Sequence, residues 1–261
     1  MLVTRPRAQS ARLIEGIAAL GGTSLAFPLL VILPLAEPLA DSVPFQEAVR
    51  RLPRCALAIF ISANAARFAL PALRDVAPDL FLDGWPEQVK AIAVGIGTAR
   101  ALAEMGVTDC LVPDQRFDSE GLLALPECSA PAIRNKNVLI FQGEGGRDLI
   151  AQTLLERGAR LLRVPTYRRA APTEGKAEFL RAATEKKMDA ITLTSAEALR
   201  HLIALPEKDE ERAKLRSLPL FTPHSRVAKA AEEAEFSAVF HTPPGDEGLL
   251  SALADYFSRA P

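Results

Sequence analysis

The sequence predicts an α/β protein built from two similar halves, each a doubly wound parallel sheet. Three observations lead to this fold class. Short runs rich in Val, Ile, Leu and Ala alternate with amphipathic helical patterns. These runs are nearly continuous in hydrophobicity, as expected for strands that helices cover on both faces. The second half of the chain also repeats the first, and strand–helix–strand repetition of this kind gives parallel sheets.

Nine short apolar runs are predicted to be strands. They are Leu2–Thr4, Leu25–Phe27, Leu57–Ile61, Ala91–Val94, Val138–Phe141, Leu161–Val164, Ala190–Leu193, Leu218–Phe221 and Ala238–Phe240. Between them apolar residues recur at helical spacing, and Leu13, Ile17 and Leu20 share one face of the first helix. The charged stretch Glu207–Arg216 is predicted to be a solvated helix or loop.

The chain contains a long internal repeat. Leu2–Pro28 reads as strand, polar turn, amphipathic helix and a strand ending in proline, and Val138–Pro165 repeats that order. Gly21 and Gly158 close the two helices. Further along, Ser62 matches Ser195 in a second pair of segments, and Ile92–Glu104 is echoed by Pro219–Ala231. A repeat this long is a duplicated half-protein rather than a solenoid unit, so a cleft between the halves is expected.

Two segments are predicted to be connectors, Leu33–Pro44 with three prolines and the polar Tyr167–Gly175. They follow the matched prolines Pro28 and Pro165. A simple tandem of domains would instead have one linker near Leu125–Lys136. The residues alone therefore leave open which segments cross between domains.

Composition excludes several classes of function. At 261 residues the chain is long enough for two domains, and its formal net charge of −1 predicts neither a nucleic-acid nor a membrane partner. Three cysteines fit neither a disulfide framework nor metal-ligand spacing. The longest apolar run, Leu25–Ala36, is broken by two prolines and is too short to span a bilayer. The cysteine usage leads us to expect a reducing, cytoplasmic compartment, and no signal-peptide pattern is recognisable.

The turns after the strands are the places where ligands bind in open α/β sheets. Nearly all are small, hydroxyl-bearing or Gly-rich, and they are Thr4–Pro6, Ser62–Asn64, Gly95–Thr98, Gln142–Arg147, Thr194–Ser195, Thr222–Ser225 and His241–Pro243. Each side chain can simply cap the helix that follows. Alternatively, the helix N-terminus can hold an anion. The number of such turns favours a site lined with anion-receptive N-termini.

Nucleotide, metal and hydrolytic chemistry are not favoured by the motifs. Gly143–Arg147 lacks the Gly-Lys-Ser/Thr of a Walker loop and the third glycine of a dinucleotide fingerprint, and Val94–Ala99 holds only a bare G-x-G. The three histidines are scattered and pair with no carboxylate at ligand spacing. Tyr167, flanked by two arginines, remains as a candidate. It either packs at a crossover or donates a proton to a leaving hydroxyl.

An ordered set of motifs resembles the uroporphyrinogen-III synthase family over essentially the whole chain. The motifs are VTRP at Val3–Pro6 with Gln9 and Leu13 following, ALGG at Ala19–Gly22, FISAN at Phe60–Asn64, AVGIGTARAL at Ala93–Leu102, LVPD and DSEGLL within Leu111–Leu123, and QGEGGRDLIAQTLLERGA followed by VPTYRR within Gln142–Arg169. The last is the most specific. The sequence departs from the family pattern at Thr222, where glycine is common, and at Ala196 and Glu197.

The resemblance implies two doubly wound α/β domains joined by a two-stranded linker, with the active-site cleft between them. Residues 1–32 with 171–261 would form one domain and residues 36–165 the other, with crossovers near 28–36 and 164–172. It also implies a substrate, hydroxymethylbilane, which is a linear tetrapyrrole with eight carboxylates. This would be cyclised to uroporphyrinogen III with loss of water and inversion of ring D through a spiro intermediate. We expect no metal or organic cofactor, a monomer, and transient hand-off of the substrate from hydroxymethylbilane synthase.

The resemblance also implies roles for individual residues. Tyr167 matches the family's candidate for assisting loss of the hydroxyl group. The expected substrate-binding residues are Arg5, Ser62, Asn64, Thr98, Gly143, Gly145, Gly146, Arg147, Thr194, Ser195, His224 and Ser225. Arg5 would either meet the carboxylates or brace its own turn. Two other functions stay open, a two-lobed protein that closes on an anionic ligand without chemistry, and a catalytically inactive homologue.

Overall fold

The computed structural model describes residues 1–6, 10–114, 116–145, 148–172, 174–185 and 187–259. The strands are β1 (Leu2–Val3), β2 (Leu25–Ala26), β3 (Val31–Leu33), β4 (Cys55–Phe60), β5 (Lys90–Ala93), β6 (Cys110–Leu111), β7 (Asn137–Gly143), β8 (Arg160–Ala170), β9 (Ile191–Thr192), β10 (Leu220–Thr222) and β11 (Val239–His241). The helices are α1 (Ala11–Ala19), α2 (Val43–Arg51), α3 (Ala63–Val76), α4 (Ile96–Glu104), α5 (Ser119–Leu123), α6 (Ala130–Ile133), α7 (Leu149–Glu156), α8 (Lys176–Thr184), α9 (Ala196–Ala204), α10 (Asp209–Ser217), α11 (Ser225–Glu233) and α12 (Gly245–Arg259).

The chain divides into two compact units. Unit 1 contains Met1–Val31 and Ala170–Pro261, and unit 2 contains Ile32–Arg169. The chain therefore passes between the units twice. The two passages fall in β3 and β8, which are neighbours at one edge of the unit 2 sheet.

Both units contain a parallel sheet with the same spatial arrangement of strands, but the chain begins at a different strand of that arrangement in each unit. In unit 1 the order is β2-β1-β9-β10-β11, and in unit 2 it is β8-β7-β4-β5-β6 with β3 added beside β8. All of the strand pairs in those two five-strand orders are parallel. When β7 and β8 are matched to β1 and β2, as the sequence repeat requires, the two orders coincide. Unit 2 is thus a circularly permuted copy of unit 1, which confirms the predicted duplication of a doubly wound sheet.

Each sheet has a hydrophobic cluster on both faces, because successive strand side chains point in opposite directions. In unit 1, Leu2 packs with Phe27 and Phe179 on one face, while Val3 packs with Leu13 and Phe221 on the other. In unit 2, Leu139 and Phe141 belong to one cluster, and Val138 and Ile140 to the second. The near-continuous apolar strands follow from this double coverage.

The matched glycines end matched helices in the same way. Gly21 and Gly158 have φ values of 79° and 88°, in the left-handed region that favours glycine. The next residue then donates back into the helix, from Gly22 N to Ile17 O at 2.9 Å and from Ala159 N to Leu154 O at 3.0 Å. This is the Schellman pattern of a helix C-terminus.

Three details of the predicted architecture were wrong or missing. The strands β3 and β6 were not predicted, and β3 overlaps the start of the supposed connector Leu33–Pro44. The second connector, Tyr167–Gly175, begins inside β8, so Tyr167 lies within a strand rather than past its end. All nine predicted strands are present, and the charged stretch forms α10 as a solvated helix. Among the described residues no helix has the length and apolar character needed to cross a membrane.

Candidate active site

Predicted site residues collect at the carboxyl ends of the central strands. In a sheet of this order the direction of winding reverses between the first and third strands, and ligands bind at the carboxyl side of that point. In unit 2 the reversal lies between β7 and β4, where Gly143 and Ser62 are found. In unit 1 it lies between β1 and β9, next to Arg5 and Thr194.

Ser62 and Ser195 occupy equivalent positions and make equivalent bonds. Each is the N-cap of a helix and accepts a hydrogen bond from the backbone N–H three residues later, at 3.1 Å from Ala65 N and 3.0 Å from Ala198 N. The capping interpretation of the turns therefore holds for both serines. A hydroxyl that caps still has its own proton and one further lone pair.

Tyr167 is the centre of the unit 2 site. Its side chain is buried, and its hydroxyl lies 3.1 Å from Ser62 Oγ. The ring stacks on Phe68 with centroids 6.0 Å apart, and the Arg169 guanidinium carbon lies 5.8 Å from the ring centre. Phe68 was not predicted as a site residue. It lies on α3, the helix that Ser62 caps, and that shared helix is the signal that could have identified it.

A register shift turns Tyr167 towards this site. Val164 and Tyr167 belong to the same cluster on one face of the sheet, although strict alternation would put residues three apart on opposite faces. The pairing moves from Gln142–Pro165 to Gly143–Tyr167, so β8 contains one extra residue at that point. The extra residue is the buried Thr166, whose hydroxyl donates to Gln142 O at 3.2 Å. Irregularities of this kind commonly re-aim a side chain beside an active site.

Gly143 allows the tyrosine ring to approach β7. A Cβ at this glycine would lie 2.7 Å from Tyr167 Cζ and 3.0 Å from its hydroxyl oxygen, closer than real contacts allow. The next residue, Glu144, donates its N–H to Tyr167 O at 2.9 Å. Gly145 has φ +67° and open space around it. Gly146 and Arg147 lie outside the described residues.

The base of the Gly-rich turn is braced by side chains that were not among the predicted substrate-binding residues. The buried Gln142 amide lies beside Arg163, and the amide orientation that satisfies both groups places its oxygen 3.2 Å from Nε and 3.0 Å from Nη2 of that arginine. Arg163 also pairs with Asp148, with Nη1 and Oδ1 2.6 Å apart. Asp148 is the N-cap residue of α7, so this arginine ties the start of the helix to β8.

In unit 1 the corresponding edge is held by threonines and one ion pair. Thr4 Oγ1 donates to Thr192 O at 2.7 Å, and Thr192 Oγ1 donates to Leu2 O at 3.1 Å. These reciprocal bonds join β1 and β9 at the reversal point. Arg5 forms a partly buried ion pair with Asp246 in the first turn of α12. Of the two expectations for Arg5, the structure shows the bracing contact.

The remaining predicted residues lie along the same edges of the two sheets. Asn64 is the partly buried second residue of α3, and Thr98 is a buried residue in the first turn of α4, which packs against α3. In unit 1, Thr194 is partly buried, while His224 and Ser225 are exposed at the start of α11. Their roles in binding stay predictions.

Thiol and metal chemistry have no support among the described residues. Burial raises the pKa of Cys55, Cys110 and Cys128 to about 11, so these thiols are protonated at neutral pH and poor nucleophiles. No group of three or more His, Cys, Asp and Glu side chains in the described part of the chain could hold a metal ion.

The arrangement has two chemical capacities. A phenol hydrogen-bonded to a serine hydroxyl can deliver a proton to a leaving oxygen. Helix N-termini, such as the start of α3 at Ala63, carry backbone N–H groups that can bind anions such as carboxylates. Together they suit a substrate that carries several carboxylates and loses a hydroxyl group.

Comparisons with known proteins agree on one family. The sequence profile described as uroporphyrinogen-III synthase HemD matches residues 11–251. The uroporphyrinogen-III synthase of Escherichia coli strain K12 is 30% identical over 255 residues, covering 97% of this chain and 99% of that protein. The enzyme of the same name from Salmonella typhimurium is 31% identical over 259 residues, with 97% and 99% covered.

Solved structures resemble the fold. A mutant uroporphyrinogen III synthase from the extremely thermophilic bacterium Thermus thermophilus aligns with a TM-score of 0.59 at 18% identity, covering 99% of both chains. The uroporphyrinogen-III synthetase of Helicobacter pylori 26695 aligns with a TM-score of 0.55 at 15% identity, covering 90% of this chain and 93% of that one. At these identities the likeness shows the fold, and the sequence matches show the family. The chain therefore belongs to the uroporphyrinogen-III synthase family of cyclising lyases.

Proposed function

We propose that the chain cyclises hydroxymethylbilane to uroporphyrinogen III with inversion of ring D. The hydroxymethyl carbon loses its oxygen as water and becomes an azafulvene-type cation. This cation attacks the substituted position of ring D, and the resulting spiro intermediate fragments and recloses. Membership of the synthase family supports the overall reaction, and the relatives from Escherichia coli and Salmonella typhimurium are named uroporphyrinogen-III synthases.

The observation that carries the proposal is the hydroxyl pair of Tyr167 and Ser62 at 3.1 Å. Tyr167 transfers its phenolic proton to the leaving hydroxyl, the carbon–oxygen bond breaks, and water departs. The phenolate left behind faces the newly formed cation. The proton released from the pyrrole when the macrocycle closes returns to the phenolate, so no proton is gained or lost by the enzyme over the cycle.

The carboxylates of the substrate are held by the turns at the carboxyl edges of the strands. Gly143, Gly145, Gly146 and Arg147 are proposed to contribute from the Gly-rich turn. The other proposed contacts are Asn64, Thr98, Thr194, Ser195, His224 and Ser225, and Arg5 is proposed to brace its turn through Asp246. The helix N-termini beside these residues support this part of the proposal, since their N–H groups and dipoles favour bound anions.

We further propose a cytoplasmic monomer that needs no cofactor and receives hydroxymethylbilane from the synthase that makes it. Residues 1–32 with 171–261 and residues 36–165 are proposed to be its two domains, and the compact units 1–31 with 170–261 and 32–169 support those boundaries.

The proposal is tested by following hydroxymethylbilane in the presence of the protein. An enzyme consumes it faster than the spontaneous closure in a control without protein. A binding protein without chemistry would instead retain the linear tetrapyrrole and slow its disappearance. That second outcome, or a rate equal to the control, would overturn the proposed function.

A further inference from the structure

Ser62 has two hydrogen-bonding neighbours and one proton to give. Its Oγ accepts from Ala65 N at 3.1 Å and lies 3.1 Å from the Tyr167 hydroxyl. A serine hydroxyl offers one donor and two acceptor sites. The helix cap occupies one acceptor site, so the proton and one lone pair remain for the tyrosine.

Two arrangements of the pair are compatible with this geometry, and they differ in chemistry. If Tyr167 donates to Ser62, its only proton is directed into the protein and away from a substrate. If Ser62 donates to Tyr167, the phenolic proton is free to point outward. Only the second arrangement leaves a proton ready for a leaving hydroxyl.

The surroundings of Ser62 favour donation by the serine. Within the described part of the chain, its hydroxyl bonds only to the Ala65 N–H and the tyrosine, so Tyr167 is the one acceptor within reach. Accepting a bond from Ala65 N–H also polarises the serine hydroxyl and strengthens it as a donor. In the opposite arrangement the serine proton would have no acceptor among the residues that the structure describes.

The tyrosine ring is held so that this bond persists. Phe68 stacks on one side, and Gly143 approaches so closely that even a methyl group would collide with the ring. Phe68 and Ser62 belong to the same helix segment, so the cap and the stacking partner are positioned together.

We propose that Ser62 is a positioning residue that donates its hydroxyl proton to Tyr167 and directs the tyrosine proton towards the substrate. The catalytic meaning of this rests on the proposed function. When Tyr167 gives its proton to the leaving hydroxyl and water departs, the new phenolate keeps the hydrogen bond from Ser62. A hydrogen bond to the charged form stabilises that form, and a fixed donor stabilises charge as it develops.

Unit 1 supplies a natural comparison. Ser195 caps α9 with the same geometry, but the sequence repeat aligns Tyr167 with Leu30, which has no hydroxyl. In the substrate-free protein, replacing Ser195 removes a helix cap, whereas replacing Ser62 removes a helix cap and the hydrogen-bonding partner of Tyr167. Comparing the two substitutions separates the loss of stability caused by removing a helix cap from the effect on Tyr167.

The first test is spectroscopic and needs no substrate. The chain has two tyrosines, so the Tyr256→Phe protein contains Tyr167 alone. The ultraviolet resonance Raman doublet of tyrosine reports whether the phenol accepts or only donates a hydrogen bond. We expect the signature of an accepting phenol, lost in Ser62→Ala and unchanged in Ser195→Ala. The signature of a phenol that only donates would overturn the proposal.

The second test is kinetic. Removing a hydrogen bond to a charged group should lower kcat of Ser62→Ala by about tenfold or more while changing KM little. Ser62→Thr keeps the hydroxyl and should restore kcat. Ser62→Gly keeps a serviceable N-cap and should behave like Ser62→Ala, which excludes loss of the cap as the cause. A rise in KM alone, or failure of threonine to restore kcat, would overturn the proposal. If the parent protein does not cyclise hydroxymethylbilane, the proposed function fails, and the Raman result alone decides which hydroxyl donates.

Discussion

Gly143 and Tyr167 pair across β7 and β8 so closely that no side chain fits at the glycine. The nearest approach of an added Cβ would be 2.7 Å, to the ring carbon that bears the hydroxyl. The glycine does not need its conformational freedom here, because its φ is outside the left-handed region. It is needed for space, and that space fixes where the phenol lies.

Gly143→Ala should therefore destabilise the protein through Tyr167 specifically. Overpacking of this kind costs about 1–3 kcal/mol. In a Tyr167→Ala background the collision is absent, so the same substitution should cost little. Urea unfolding of the four proteins in this double-mutant cycle measures the coupling.

Gly97→Ala is the matched control for adding a methyl group near a strand end. A Cβ at Gly97 meets nothing within 4 Å, and alanine favours the helix in which Gly97 lies. We expect unchanged or slightly higher stability there. Equal costs for Gly143→Ala with and without the tyrosine ring would contradict the steric account.

Tyr167→Phe should slow cyclisation while leaving the fold intact. General acid catalysis contributes about 10²–10⁴-fold, so a loss in that range is expected when the phenolic proton is removed. Tyr256→Phe removes the other phenol from a cluster with Phe221 and Phe240 in unit 1 and should keep its activity. The measurement is the steady-state rate of cyclisation by each variant. A fully active Tyr167→Phe enzyme would exclude Tyr167 as the proton donor.

The Arg5–Asp246 pair should behave as a structural brace. Both side chains are mostly buried, with 16% and 25% exposed. Replacing either by alanine should cost about 1–2 kcal/mol of unfolding free energy, and the double variant should cost no more than the larger single loss. Additive losses would show that the two side chains act independently. A selective rise in KM for Arg5→Ala without loss of stability would instead assign Arg5 to the substrate.

Cys55 should make stability depend on pH in alkaline solution. Burial raises the pKa of this thiol from 9.0 to about 11. Below pH 9 the Cys55 thiol is protonated in both the folded and the unfolded chain, so its burial contributes fully to the free energy of unfolding. Between pH 9 and about 11 only the unfolded chain loses the proton, so up to about 2–3 kcal/mol is lost as pH rises.

The measurement compares wild type and Cys55→Ala by urea unfolding from pH 8 to pH 11. The stability difference between them should shrink across this range. Leu57→Ala, a non-titrating truncation of a neighbouring buried residue, should give a constant difference. A constant difference for Cys55→Ala as well would contradict the assigned titration.

Unit 2 should fold on its own. Both of its hydrophobic clusters consist entirely of residues within 32–169, a continuous segment of chain. Trp85, the single tryptophan, lies in this segment, and the centroids of its ring and the Phe60 ring are 6.0 Å apart. A fragment of residues 32–169 should show cooperative urea unfolding by tryptophan fluorescence. A fragment whose Trp85 is solvated without denaturant would contradict the proposed boundaries.

The periodic features of the sequence were sufficient to predict the sheets. Buried strands such as β4 and β7 are long apolar runs, and the repeated glycines mark equivalent helix ends. The strand β6 has only two residues and β3 three, too few for a pattern to be distinguished from a loop. The duplication was recognised from the residues, whereas its circular permutation appears only when strand neighbours are known.

The site was predictable by residue type but less so by geometry. Ser62, Gly143 and Tyr167 were identified individually, and the structure brings these three together. The register shift at Thr166 determines the direction of the tyrosine, and it depends on pairing with β7 rather than on local sequence. The contacts of Arg5 with Asp246 and of Arg163 with Asp148 join residues separated along the chain, the first pair by most of its length and the second by the whole of α7. No pattern in a single sequence marks such partners.

The isomer composition of the product tests the central claim most directly. Hydroxymethylbilane would be generated in situ, the protein added, and the oxidised porphyrins separated by chromatography. Uncatalysed closure gives isomer I, so predominantly isomer III is the predicted result and would establish both cyclisation and inversion of ring D. Isomer I alone, formed at the rate of the control without protein, would contradict the assignment of synthase activity to this chain.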